Sequence, residues 1–217
     1  GETRMPWIRP MYLHPAHVND RLIARWAEAR VVPYLDLPVQ HGDDAVLRAM
    51  RRAVTAKRMK EIVGAFREAI PGLTVRTTVL VGFPGESEAA FQNLLEFLDD
   101  VRFDRLGVFT YSPEEGTPSP EFRDQVPAEL AADRAAVVQE QQDRLQWDRH
   151  GKLLGSVQEV LVDGPSEDPA FAFEGRTSGQ APEIDGVVYL RGDFEPGRFT
   201  RARIVEVEGY ELVGERA

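Results

Sequence analysis

The residues best placed to do chemistry are Gly82, Phe83, Pro84, Gly85 and Glu86, which follow the β-branched run Val75 to Val81. Two glycines permit backbone angles and close approaches that a Cβ forbids. Such a turn can act as a nucleoside shelf. Backbone amides and carbonyls would read a base edge while Phe83 or Pro84 packs on its face. The plainer alternative is a tight connection that needs glycine for geometry alone. Gln40 and His41 close a second apolar run, where polar side chains can point into a barrel mouth. They could equally satisfy local amides at a helix start. Arg76 is a charge inside an apolar strand, so it must be paired or line a cavity. It suits a carboxylate ligand, or an internal partner such as Asp36. Tyr111 and Ser112 end a further β-rich run and could complete the same mouth.

Other groups read as structural. His14 stands beside a proline, where exposure is the simple expectation. The basic run Arg48, Arg51, Arg52, Lys57, Arg58 and Lys60 reads as a solvated helix face. No Ser/His/Asp nucleophile set, Walker loop or H-E-x-x-H helix can be assembled.

The elements that must hold these residues follow from periodicity. WIRPMYLHP reads as a strand, followed by a helix capped by Asn19 or Asp20. VVPYLDLPVQHGDD gives a strand and then a helix start at Asp43 or Asp44. Lys57 to Ala69 is helical and Pro71-Gly72 stops it. Val75 to Val81 has the apolar density of a strand buried on both faces. The next helix carries Ala90, Phe91, Leu94, Leu95 and Leu98 on one stripe. RLGVFTYSP is a fourth strand. Four β-then-α units in series predict a parallel sheet. With no G-x-G-x-x-G after any strand, a partial, open TIM-like (β/α) barrel is the better architecture. Because the chain opens inside a unit, it reads as the trailing part of a longer protein.

From Pro113 to Pro127 the segment holds four prolines and predicts irregular structure. Ala128 to His150 predicts a long helix with Leu130, Val137, Val138 and Leu145 on a narrow apolar stripe. Beyond Lys152, five short alternating runs predict a small five-stranded antiparallel β-barrel. The expected domains are therefore a partial barrel over 1–127, a connecting helix over 128–151 and the small barrel over 152–217.

Composition narrows the classes. The chain has 217 residues, no cysteine and a formal net charge of -10. Disulfides and thiolate metal sites are excluded within these residues. No run approaches the roughly 18 apolar residues of a membrane span. The start, GETRMPWIRP, lacks the apolar core of a signal peptide, which favours a cytoplasmic protein. Residues 152–217 carry 7 basic and 13 acidic side chains, a net of -6, which disfavours RNA and favours a basic partner.

Four segments, PYLDLPVQHGDDAVLRAMRR, RTTVLVGFPGESEAAFQNLLEFL, FDRLGVFTYSPEEGTPS and DQVPAEL, together resemble the radical S-adenosylmethionine (SAM) methylthiotransferases. The terminal barrel resembles their TRAM domain. APEIDGVVYL and the DQVP linker resemble the RimO type rather than the tRNA-adenosine-modifying type. The resemblance runs from Trp7 to Arg216. It implies methylthiolation of the β-carbon of an aspartate in a small-subunit ribosomal protein, that basic protein being met by the acidic TRAM-like domain. It also implies SAM as cofactor, with Gln40 and His41 near the SAM and cluster pocket, and Arg76 at the cofactor's polar end. Gly82, Phe83, Pro84, Gly85 and Glu86 would form the adenine-side turn, with Tyr111 and Ser112 closing the mouth. The family holds two [4Fe-4S] clusters on cysteines, and this chain has none. The chain alone is therefore expected to be inactive. A tRNA-directed enzyme and a non-catalytic protein-docking module are the alternatives.

Overall fold

The computed structural model describes residues 5–217, so the first four residues of the expected 1–127 domain lie outside it. Two compact units emerge, Gly1–Gln142 and Asp143–Ala217. The boundary falls inside the long helix that the sequence reading set apart as a connector.

In the first unit, β1 (Tyr34–Asp36), β2 (Thr74–Val81) and β3 (Arg105–Thr110) form a parallel sheet in the order β1-β2-β3. The crossovers are helical: α2 (Asp44–Ala49) and α3 (Ala56–Ala69) join β1 to β2, and α4 (Glu88–Val101) joins β2 to β3. An earlier helix, α1 (Asp20–Glu28), starts at Asn19, whose Oδ1 accepts the Leu22 N–H at 2.9 Å. Val75, Val79 and Val81 face the helices and join Leu35, Phe66, Leu94 and Phe97 in the core. The other face of β2, carrying Arg76, Thr78 and Leu80, is only half-buried. The strand expected to be buried on both faces is therefore buried on one. Its second face is the inner wall of a barrel arc.

The sequence predicts its first strand at WIRPMYLHP, and no strand forms there. Leu13 N–H does reach the Asp36 carbonyl at 2.9 Å. The Val32 N–H also reaches the Ile8 carbonyl at 3.0 Å, but Pro6 and Pro10 remove two ladder donors and Tyr12 adopts a left-handed φ of 58°, so these contacts do not extend into a ladder.

The last helix, α5 (Ala128–Gly151), corrects the stripe expected of it. Val138 and Leu145 are buried, whereas Leu130 and Val137 are exposed. The buried face instead carries Ala131, Arg134 and Gln142, whose polar groups bond inward. Gln142 Nε2 donates to the Phe103 carbonyl at 3.3 Å.

The second unit is a closed barrel of β4 (Val157–Pro165), β5 (Phe173–Arg176), β6 (Val188–Arg191), β7 (Phe199–Glu208) and β8 (Glu211–Arg216). Around the barrel the order is β4-β5-β6-β8-β7. The barrel is mixed rather than antiparallel, because β6 and β8 run parallel. A tight turn at Gly209-Tyr210 folds β8 back along β7, and the free edge of β8 falls beside β6 in the same direction. Val160, Val162, Val188, Leu190 and Ile204 fill the interior. A Cβ on Gly175 would stand 2.3 Å from the Leu161 carbonyl oxygen. Gly175→Ala should therefore destabilise this unit by about 2–3 kcal/mol, as overpacking does. Hydrogen exchange should show faster opening at Val160 and Leu190 with α3 and β2 unchanged.

Candidate functional site

The carboxyl ends of parallel strands are where ligands gather in such sheets, because the following loops splay apart there. Gln40 lies just beyond β1 and pairs with β2 through its backbone. Its N–H donates to the Thr78 carbonyl at 2.9 Å, and its carbonyl accepts the Leu80 N–H at 2.8 Å. To do so it adopts a φ of 70°, a conformation that costs a non-glycine residue about 1–3 kcal/mol.

Gln40, Phe83, Tyr111 and Ser112 line one cavity of about 260 Å³. Phe83 meets Tyr111 edge to face with ring centroids 5.4 Å apart, and meets Phe122 at 6.2 Å. The Tyr111 hydroxyl donates to Ser119 Oγ at 3.0 Å, which ties the proline-rich loop to the rim. Gln125 Nε2 holds that loop from within by donating to the Ser119 and Phe122 carbonyls. Regular structure in the loop is limited to one 3-10 turn, Ser119–Glu121.

Arg76 is not among the lining residues. It is paired with Asp36, Nη1 to Oδ1 at 3.2 Å, and donates to Thr78 Oγ1 at 3.3 Å. It precedes the end of β2 by five residues, roughly 16 Å at strand rise. The internal partner that the sequence allowed is present.

His41 and Glu86 lie behind the cavity wall, both with fully buried side chains. Glu86 turns back on its own loop. Its Oε2 accepts the Gly82 N–H at 2.8 Å and its Oε1 takes Arg134 Nη1 at 2.8 Å. Pro84 is buried and Gly85 exposed, its N–H donating to the Asp124 carbonyl at 2.7 Å. Gly82 has a φ of +78°, and a Cβ there would lie 2.4 Å from Ala131 Cβ. That glycine is required by helix packing as well as by the turn.

Sequence reasoning missed Arg52, which it assigned to a solvated face. The chain turns at Arg51, whose φ is 57°, and the Arg52 N–H closes back on the Leu47 carbonyl at 2.8 Å. This is a Schellman end with arginine where glycine is usual. It carries Met50 and Arg52 to the cavity lining. Among the described residues the Arg52 guanidinium contacts His14 Nε2 at 3.1 Å and forms no ion pair with a carboxylate. Burial, the Arg52 charge and His17 hold the His14 ring below its ordinary pKa. Helical spacing alone gave no sign of this, because the left-handed residue breaks the period.

Asp43 starts α2. Its Oδ1 accepts the Ala45 and Val46 N–H groups at 2.8 and 3.0 Å, and its Oδ2 accepts from Asn93 at 2.7 Å. Burial pushes its carboxyl up, yet the Asn93 side chain, the two backbone N–H groups and His41 outweigh it and leave the pKa lowered. Among the described residues no group of three or more His, Cys, Asp or Glu could hold a metal ion.

Residues 4–98 match the Radical SAM superfamily profile, and residues 154–216 match the TRAM domain. A ribosomal protein uS12 methylthiotransferase RimO from Geobacter sulfurreducens is 42% identical over 213 residues, covering 97% of this chain and 48% of that protein. The protein of the same name from Sorangium cellulosum is 44% identical over 211 residues, covering 96% and 43%. The chain thus spans about half the length of the relatives it matches. A coproporphyrinogen III oxidase (HemN) from Escherichia coli, described as a radical SAM enzyme, superposes with a TM-score of 0.49 and 17% identity, over 62% of this chain and 32% of that one.

A carboxyl held below its usual pKa in the fold stabilises above the unfolded value and loses that stabilisation as pH falls through the folded value. Asp43→Ala should therefore cost about 1 kcal/mol at neutral pH, the loss of a helix cap. In urea titrations the gap from wild type should close below about pH 4.

Proposed function

We propose that this chain, which belongs to the radical SAM methylthiotransferase family of RimO type, contributes the cofactor cavity and the TRAM domain of an enzyme that methylthiolates the β-carbon of an aspartate in ribosomal protein uS12. The observation that carries this reading is the convergence of three strand ends on one cavity, where Gln40, Phe83, Tyr111 and Ser112 meet.

The residues fit S-adenosylmethionine. Phe83 and Tyr111 offer aromatic surface to an adenine, Gln40 offers an amide, and Arg52 is a half-buried cation without a carboxylate of its own. Phe83, Pro84 and Gly85 would lie on the adenine side, with Gly82 and Glu86 holding the turn from behind. Arg52 would take the ligand's carboxylate, with Arg76 and His41 supporting the wall. A sulfonium cofactor bound there would supply the radical and methyl chemistry. The role of these residues is to orient it and exclude water.

The residues do not fit an iron–sulfur cluster, because the chain has no thiolate donor. The ligands of both [4Fe-4S] clusters would stand elsewhere in the full-length enzyme, and this chain alone would be inactive. Its TRAM domain, with a net charge of -6 over residues 152–217, would meet a basic ribosomal protein rather than RNA. No helix among the described residues is long and apolar enough to cross a membrane.

Calorimetry with S-adenosylhomocysteine, the product-like form of the cofactor, tests the cavity. Phe83→Ala should weaken binding by about 1–3 kcal/mol, the worth of one stacked base, and Arg52→Ala should weaken S-adenosylhomocysteine more than adenosine. Equal losses for the two ligands would remove Arg52 from the carboxylate role. In a parallel assay the chain should bind purified uS12 with affinity that falls as salt rises, and should not retain tRNA. Tight, salt-sensitive tRNA binding would overturn the choice of substrate class.

A further inference from the structure

Glu86 is the one fully buried carboxylate at the cavity wall, and its partners form a continuous chain from α5 to the strand ends. At the far end, Arg134 Nη1 donates both to Glu86 Oε1 at 2.8 Å and to the Glu86 carbonyl at 2.9 Å. Its Nη2 reaches Glu88 Oε2 at 3.3 Å, and its guanidinium lies over the Phe91 ring with Cζ 5.1 Å from the centroid. At the near end, the Asp43 N–H donates to His41 Nδ1 at 2.9 Å. A nitrogen that accepts carries no proton, so the imidazole proton sits on Nε2. That nitrogen lies 3.4 Å from Glu86 Oε2, in contact with it but without a hydrogen bond. Glu86 therefore accepts hydrogen bonds from two elements, Arg134 of α5 and the Gly82 N–H of the turn after β2, and touches a third at His41, the residue following Gln40.

We infer that Arg134, acting through Glu86 and His41, is a positioning residue for the cofactor cavity. It lines no part of the cavity itself. The chain ends on two left-handed wall positions, the turn at Gly82, which glycine adopts freely, and the strained Gln40, which precedes His41 directly. A strained residue persists only when its surroundings over-determine it. Here the surroundings are a buried charge pair whose rupture would leave a carboxylate uncompensated. Arginine suits the post because its fork serves a carboxylate, a carbonyl and a second carboxylate at once.

The inference rests on the cavity being the adenosyl site, so its test has one readout without ligand and one with it. In the ligand-free chain, long-range 15N NMR should show His41 as the Nε2–H tautomer. Arg134→Lys, which keeps the charge but loses the fork, should shift the Gln40, His41 and Phe83 amides and leave those of Leu190 and Ile204 in place. An Nδ1–H tautomer, or unmoved Gln40 and Phe83 amides, overturns the brace whether or not any ligand binds. With S-adenosylhomocysteine, Arg134→Met should weaken binding about tenfold, the scale of residues that act through others. Arg134→Lys should weaken it less. In a Gln40→Ala background the Arg134→Met loss should largely vanish, since the group being positioned is gone. Full additivity of the two losses overturns a route through Gln40. If wild type binds no S-adenosylhomocysteine while the ligand-free shifts appear as stated, the cofactor reading fails and the brace stands.

Discussion

A carboxylate with no exposure to water is tolerated only where hydrogen bonds and opposite charge replace its hydration. Glu86 meets that condition through Arg134 and the Gly82 N–H, with His41 packed 3.4 Å away. The constraint reaches in three directions. It fixes the turn after β2, anchors the start of α5 to the sheet, and sets the residue beside Gln40. Helix α5 therefore joins the first unit through buried polar contacts as much as through apolar ones. The small helix-facing residue Ala131 leaves room only for Gly82 opposite it.

From that bracing follows the form of the cavity. Parallel strands bring their last residues to one side: the register sets Gln40 opposite Val79 and Thr110 opposite Val81, so Tyr111 follows just beyond the end of β2. A rim of two aromatic faces, an amide and a guanidinium held by His14 suits a ligand with a flat base at one end and an anion at the other. The strand face below, with Arg76 paired to Asp36, is neutralised internally. The 217 residues include no cysteine and so no thiolate donor.

Much of this was legible in the residues. The apolar runs and glycine turns located β1, β2, β3 and all five strands of the second unit, and the turn at Gly82–Glu86 stood out before any geometry. What could not be read depended on contacts between distant segments. Arg52 belonged to a basic run until a left-handed arginine turned it inward. Leu130 and Val137 kept the spacing of a core stripe, yet the buried face of α5 was chosen by Glu86 and the Phe103 carbonyl, which reward Arg134 and Gln142. The segment before His14 had β-strand composition, but its prolines denied it donors. The parallel β6–β8 pair followed from a two-residue turn whose consequence is topological rather than local.

The central claim is that the strand ends of the first unit form the adenosyl-binding surface, and amide chemical-shift mapping tests it most directly. Titration of the 15N-labelled chain with S-adenosylmethionine should move Gln40, Phe83, Tyr111 and Ser112 in a saturable manner and leave the amides of β4 to β8 unchanged. Shifts confined to the second unit, or none at the strand ends at millimolar ligand, would contradict the account.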